Sequence, residues 1–112
     1  MRRFLFVCSH NRARSPTAAW VFAQLPDTET RSAGLSEYAA NRLTTELIAW
    51  AEVIFVMERA QKSKLIRQFG TMAAGKRIVV LGVRDEYECM DPGLISLLEA
   101  KSAPWRPPPR TA

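Results

Sequence analysis

The sequence predicts an α/β fold: a three-layer sandwich around a four-stranded parallel sheet in the order 2-1-3-4. Three observations lead there. Short apolar runs recur at Phe4-Leu5-Phe6-Val7, Val53-Ile54-Phe55-Val56 and Ile78-Val79-Val80-Leu81, the pattern of strands covered on both faces. Stretches with helical spacing of apolar residues alternate with them, which implies parallel β-α-β units with right-handed crossovers. The chain has 112 residues, enough for one domain with one core.

The first strand runs into Cys8-Ser9-His10-Asn11-Arg12-Ala13-Arg14-Ser15-Pro16, with five residues between the cysteine and Arg14. A loop of that length can turn successive backbone N–H groups inward and form a nest for an anion. The helix that follows, opening near Ser15 or Pro16, aims its positive dipole end at the same point. Arg14 adds a planar fork suited to two phosphate oxygens. Cys8 then lies at the bottom of an electropositive bowl, where a thiol can serve as nucleophile. Ser15 is placed to hydrogen-bond the sulfur. Asn11, mid-loop, tolerates the left-handed backbone that a tight cradle needs.

In the helix itself Ala18, Val21, Phe22 and Leu25 form one buried stripe. Trp20 lies off that stripe as a side anchor, and Pro26-Asp27 ends the helix. Residues 28–33 are polar and β-leaning, an edge strand closing in Ser32-Ala33-Gly34. Residues 35–42 are irregular, and Leu43, Leu47, Ile48 and Ala51 give a second helical stripe. After the third strand and Met57-Glu58, residues 59–69 read as a helix with Leu65, Ile66 and Phe69 inward, stopped by Gly70. The fourth strand spans residues 78–81, and Gly82 opens a loop. Asp91-Pro92 begins the last helix, an N-cap followed by a favoured first residue, with Leu94, Leu97 and Leu98 facing the core. The domain is expected to span residues 1–103. A proline-rich tail, 104–112, is expected to be extended and flexible.

Apolar residues make up 47% and charged residues 24%, a globular composition. Net charge is +5, which favours anionic partners. Lys62, Lys64 and Arg67 form a solvated face with no aromatic interleaving, so a nucleic-acid surface is disfavoured. Two distant cysteines make no disulfide framework, and a single histidine makes no metal cluster. No cofactor or metal is expected. Met1-Arg2-Arg3 before Phe4-Leu5-Phe6-Val7 imitates a signal peptide, but the apolar run is too short. No run reaches transmembrane length. No membrane partner is expected, and a reduced cytoplasm is the expected compartment.

In this order of elements, Cys8-x-x-Asn11-x-x-Arg14-Ser15-Pro16 resembles the phosphate loop of the low-molecular-weight protein tyrosine phosphatases, shared by arsenate reductases of the same flavodoxin-like fold. The resemblance extends to about Leu94 in a shortened form. It implies Cys8 as nucleophile and Arg14 as the phosphate clamp. Ser9, His10, Asn11, Arg12, Ala13, Arg14 and Ser15 supply the cradle, which would hold inorganic phosphate or sulfate. The family's wall segment after the Ser-Ala-Gly turn is largely missing, so phosphotyrosine, another phosphoprotein and a small phosphate ester all stay open as substrates.

Cleaving a phosphate ester also needs a proton donor for the leaving oxygen. Residues 85–91 line up with the family's acid loop, which makes Asp85 the acid and Tyr87 an aromatic pocket wall. Glu86 replaces the family's proline. Asp91-Pro92 matches the family dipeptide by eye and makes Asp91 the alternative acid, although N-capping already accounts for Asp91. Two other functions remain: an arsenate-reductase-type redox enzyme, for which only Cys89 is available as a second thiol, and a non-catalytic phosphate- or phosphopeptide-binding module.

Overall fold

A computed structural model describes residues 1–106 of the chain. Its sheet contains β1 (Arg2–Cys8), β2 (Thr28–Gly34), β3 (Val53–Val56) and β4 (Arg77–Val80), in the order β2-β1-β3-β4. Every pairing is parallel: Cys8 lies opposite Gly34, Phe6 opposite Phe55, and Val56 opposite Val80. The central runs are the apolar ones because β1 and β3 are covered on both faces. β2 and β4 are edges and carry the polar and half-exposed residues.

The strand period of two sorts the core into two faces. Phe4, Phe6 and Cys8 point with Phe55 and Met57 toward α1 (Arg14–Phe22) and α5 (Pro92–Lys101). Leu5, Val7, Ile54 and Val56 point toward α2 (Thr45–Trp50), α3 (Arg59–Phe69) and α4 (Thr71–Ala74). Three layers result. On the first face Phe6 stacks on Phe55 at 4.8 Å between centroids and meets Phe22 at 4.7 Å. Ala18, Val21, Phe22 and Leu25 are all buried there, and Trp20 is 49% exposed, as their spacing requires.

Two elements depart from expectation. The chain does not simply stop at Gly70: its φ of 59° ends α3 and turns the backbone into the four-residue α4, which buries Ala73. The residues after α5 are also structured. Ala103–Trp105 form a 3-10 turn, and the Trp105 ring meets Phe55 at 5.0 Å and Phe4 at 5.4 Å, both edge-on. Arg77 covers the ring at 4.6 Å, and Arg2 Nη1 donates to the Trp105 carbonyl at 2.7 Å. Pro104 and Trp105 therefore belong with the folded domain, and the boundary expected at 103 moves past them. The rest of the proline-rich tail, 107–112, lies outside the described residues.

Replacing Trp105 by alanine should cost about 2–3 kcal/mol, below the range for a fully buried tryptophan because this ring is only partly covered. Urea denaturation of the variant checks this. Truncation before Ala103 should reproduce the loss.

The parallel strands send their C-terminal ends to one edge, and the loop after β1 lies where the strand order reverses. Such sheets bind ligands at that crevice. Among the described residues no helix is long and apolar enough to cross a membrane.

Candidate active site

Because even-numbered residues of β1 face α1, Cys8 ends the strand beneath the N-terminus of that helix, with 4% of its surface exposed. The loop then curls back over it. Asn11 adopts φ 53°, and its backbone N–H donates to Cys8 Sγ at 3.2 Å. Ser15, fully buried in the first turn of α1, puts Oγ 2.9 Å from the same sulfur and 2.8 Å from Asn11 Oδ1. A hydroxyl has one proton to give. With a neutral thiol, the sulfur donates to Ser15, which donates to Asn11. With a thiolate, the hydroxyl turns its proton to the sulfur, joining the Asn11 N–H. The arrangement serves both states without rebuilding the loop.

No side chain caps α1 at Ala13, and its dipole points into the loop. Arg14 is 4% exposed. Its Nη1 donates to the Val83 carbonyl at 2.8 Å and lies 3.4 Å from Glu58 Oε2, and its Nε lies 3.8 Å from Asp85 Oδ1. The guanidinium is thus aimed by a backbone acceptor and two flanking carboxylates. The Val83 carbonyl is itself fixed, because Val83 N–H donates to the Met57 carbonyl at 2.8 Å.

A second tier braces the loop. Leu35, Ser36 and Ala40 donate N–H groups to the carbonyls of Cys8, Ser9 and His10 at 3.0, 2.9 and 3.1 Å. Residues 35–42, irregular as expected, form this brace. Gly34 permits the close approach: a Cβ there would collide with Ala39 and come within 2.8 Å of the Ser9 carbonyl. On the other side the buried Gln61 accepts from the Met57 and Glu58 N–H groups at 2.9 and 3.0 Å and reaches Ser9 Oγ at 3.4 Å. Gln61→Leu would strand the Met57 N–H and release Glu58. We expect a stability loss of about 2 kcal/mol by urea denaturation, and roughly tenfold slower turnover from the loosened loop.

These parts enclose a cleft of about 220 Å³ lined by Cys8, His10, Arg12, Ala13, Arg14 and Asp85. The sulfur and Arg14 form its floor; His10, Arg12 and Asp85 are exposed at the mouth. Asp85 sits on a loop anchored at both ends, at Val83 as above and at Met90, whose N–H donates to Thr17 Oγ1 at 2.9 Å. Asp91 instead caps α5, accepting from Gly93 N–H at 2.7 Å. Tyr87 does not line the cleft; it is half-buried and packs against the α1–α5 core face. Cys89 is exposed, with its sulfur 3.9 Å from Thr17 Oγ1, and both cysteines are free. Ser9 lies outside the lining and acts through its backbone carbonyl and its contact with Gln61. Among the described residues no cluster of His, Cys, Asp and Glu could hold a metal ion.

The residues that sequence reasoning missed are Gln61 and Val83. Gln61 stands three residues after Glu58, the spacing of a helix-capping pair, and that was its one available signal. Val83 contributes a carbonyl, which side-chain chemistry cannot reveal.

No family model matches the sequence, and no curated protein does. Solved structures do. Wzb from Vibrio vulnificus, in complex with benzylphosphonate, aligns with a TM-score of 0.76 at 22% identity, over 93% of this chain and 96% of that one. The tyrosine phosphatase Wzb from Escherichia coli K30, in complex with phosphate, aligns at 0.73 with 24% identity, over 92% and 94%. The YwlE arginine phosphatase from Geobacillus stearothermophilus aligns at 0.62 with 26% identity, over 93% and 85%. In element order and sheet topology, the chain has the fold of the low-molecular-weight protein tyrosine phosphatases.

Proposed function

We propose that the chain is a cysteine-dependent phosphatase that hydrolyses phosphate monoesters through a phosphocysteine intermediate, with phosphotyrosyl protein as the leading substrate class. One observation carries the reading: Cys8 Sγ is held by Ser15 Oγ and the Asn11 N–H on the floor of a cleft that also presents buried Arg14 and, at its mouth, Asp85. A module that only bound phosphate would have no use for a thiol supported in that way. The structural relatives named as tyrosine phosphatases support the reading, as do the complexes with phosphate and benzylphosphonate.

In the first step Cys8 attacks phosphorus in line. Loop N–H groups and Arg14 hold the equatorial oxygens as charge redistributes. Asp85 gives its proton to the departing oxygen. In the second step the Asp85 carboxylate takes a proton from water, which displaces the cysteine sulfur and frees inorganic phosphate. Ser15 and the Asn11 N–H hold the thiolate on departure. The arginine phosphatase activity named for YwlE fits this cleft less well, since a guanidinium leaving group would meet Arg12 with like charge.

Hydrolysis of para-nitrophenyl phosphate, under reductant at mildly acidic pH, tests the proposal. Steady release of nitrophenol by the folded wild-type protein is expected. Its absence would overturn the reading. Cys89→Ser should leave this turnover in place, whereas a reductase resolving its intermediate through Cys89 would lose its own activity.

A further inference from the structure

We propose that Arg12 forms an anion subsite at the mouth of the cleft and selects phosphate monoesters whose leaving group carries a second negative charge. The inference rests on the phosphatase reading and adds the substrate's chemistry to it.

The walls of the cleft are the first observation. The aromatic side chain nearest in sequence to the acid, Tyr87, packs inward on the α1–α5 face, where its Cε1 would lie 3.6 Å from a Cβ on Gly93. No phenylalanine, tyrosine or tryptophan lines the cleft, and its one ring is the polar imidazole of the exposed His10. A leaving group leaving the floor therefore meets polar and charged groups, His10, Arg12 and Asp85, rather than an apolar aromatic wall.

The charge balance is the second observation. Arg14 is faced by Glu58 and Asp85, and Arg84 by Glu86 at 3.6 Å. Arg12 lines the same cleft, is exposed, and has no ion-pair partner among the described residues. It is a cation at the mouth whose charge no carboxylate among the described residues answers. A phosphoryl group on the floor engages Arg14 and the loop, which leaves Arg12 for the remainder of the substrate. A carboxylate or second phosphate there gains from Arg12, and a cation loses. An acidic residue beside a phosphotyrosine and a small ester with its own carboxylate share this chemistry.

The test compares kcat/KM within two substrate pairs. One pair is a phosphotyrosyl peptide with glutamate or with lysine at the flanking positions. The other is 3-carboxyphenyl phosphate against phenyl phosphate. Arg12 belongs to the loop, so the ratio within each protein is the readout rather than its absolute rate. Wild type should favour the anionic member by about tenfold at low salt, with the preference shrinking as salt rises. The ratio should fall toward one in Arg12→Gln, invert in Arg12→Glu and survive in Arg12→Lys. A response of the peptide pair alone assigns a peptide source, and a response of the ester pair assigns a small molecule. A ratio near one in wild type, or one unchanged in Arg12→Glu, overturns the subsite while leaving the phosphatase reading intact if para-nitrophenyl phosphate is still turned over. Absence of that turnover in wild type removes both.

Discussion

Cys8→Ser should lower turnover of para-nitrophenyl phosphate by about 10⁴-fold or more while leaving the fold in place. The replacement is nearly isosteric, and the serine hydroxyl can occupy the same hydrogen-bonded position between Ser15 Oγ and the Asn11 N–H. What it loses is the nucleophile. An alkoxide is far harder to form than a thiolate, and the donors around Cys8 suit a soft anion on a strand end rather than general-base activation of a hydroxyl. Among the described residues the sulfur's two hydrogen-bond partners are a hydroxyl and a backbone N–H, and neither is a base. Binding should persist, because the cradle and Arg14 remain. A Cys8→Ser protein that still binds phosphate, with turnover gone, is the expected result. Turnover within tenfold of wild type would mean that water is activated by something other than Cys8.

Asp85→Asn is the second large effect. An asparagine fills the same volume and keeps a polar contact toward Arg14 Nε, but it cannot deliver a proton. Removing a general acid typically costs 10²–10⁴-fold, and the loss should depend on the leaving group. Phenyl phosphate, whose leaving oxygen needs the proton, should suffer by about 10³-fold, and para-nitrophenyl phosphate by less. Asp91→Ala should behave differently. It removes the α5 cap seen at 2.7 Å to Gly93 N–H and should cost about 1 kcal/mol of stability, with turnover of folded protein retained. If Asp91→Ala rather than Asp85→Asn produced the leaving-group-dependent loss, the two aspartates would exchange roles.

Several parts of this architecture are written in local sequence. The continuous apolar runs at β1 and β3 follow from burial on two faces, and the α1 stripe from its period. The cysteine loop is legible because its chemistry is concentrated in eight consecutive residues, Cys8–Ser15. Asp91-Pro92 announces a helix start, and the structure uses it so. Other parts depend on contacts between distant residues. Trp105 lies among prolines that suggest an idle tail, and only the long-range meeting with Phe4, Phe55 and Arg77 draws it into the domain. Arg77 extends β4 one residue earlier than the apolar run does, because an edge strand tolerates an exposed arginine. Gln61 reads as one more polar residue on a basic helix. Its burial comes from the place where α3 meets the loop. Tyr87 shows the reverse: an alignment fixes its position in the chain and not the side to which it turns.

The most direct test of the central claim is to trap the intermediate. Wild-type protein mixed with para-nitrophenyl phosphate and quenched in acid within the first turnover should carry one phosphoryl group on the peptide that contains Cys8. The adduct should be absent from the Cys8→Ser protein, and its formation should coincide with a burst of nitrophenol equal to the enzyme present. Turnover with no phosphorylated Cys8, or with the phosphoryl group on another residue, would contradict the account.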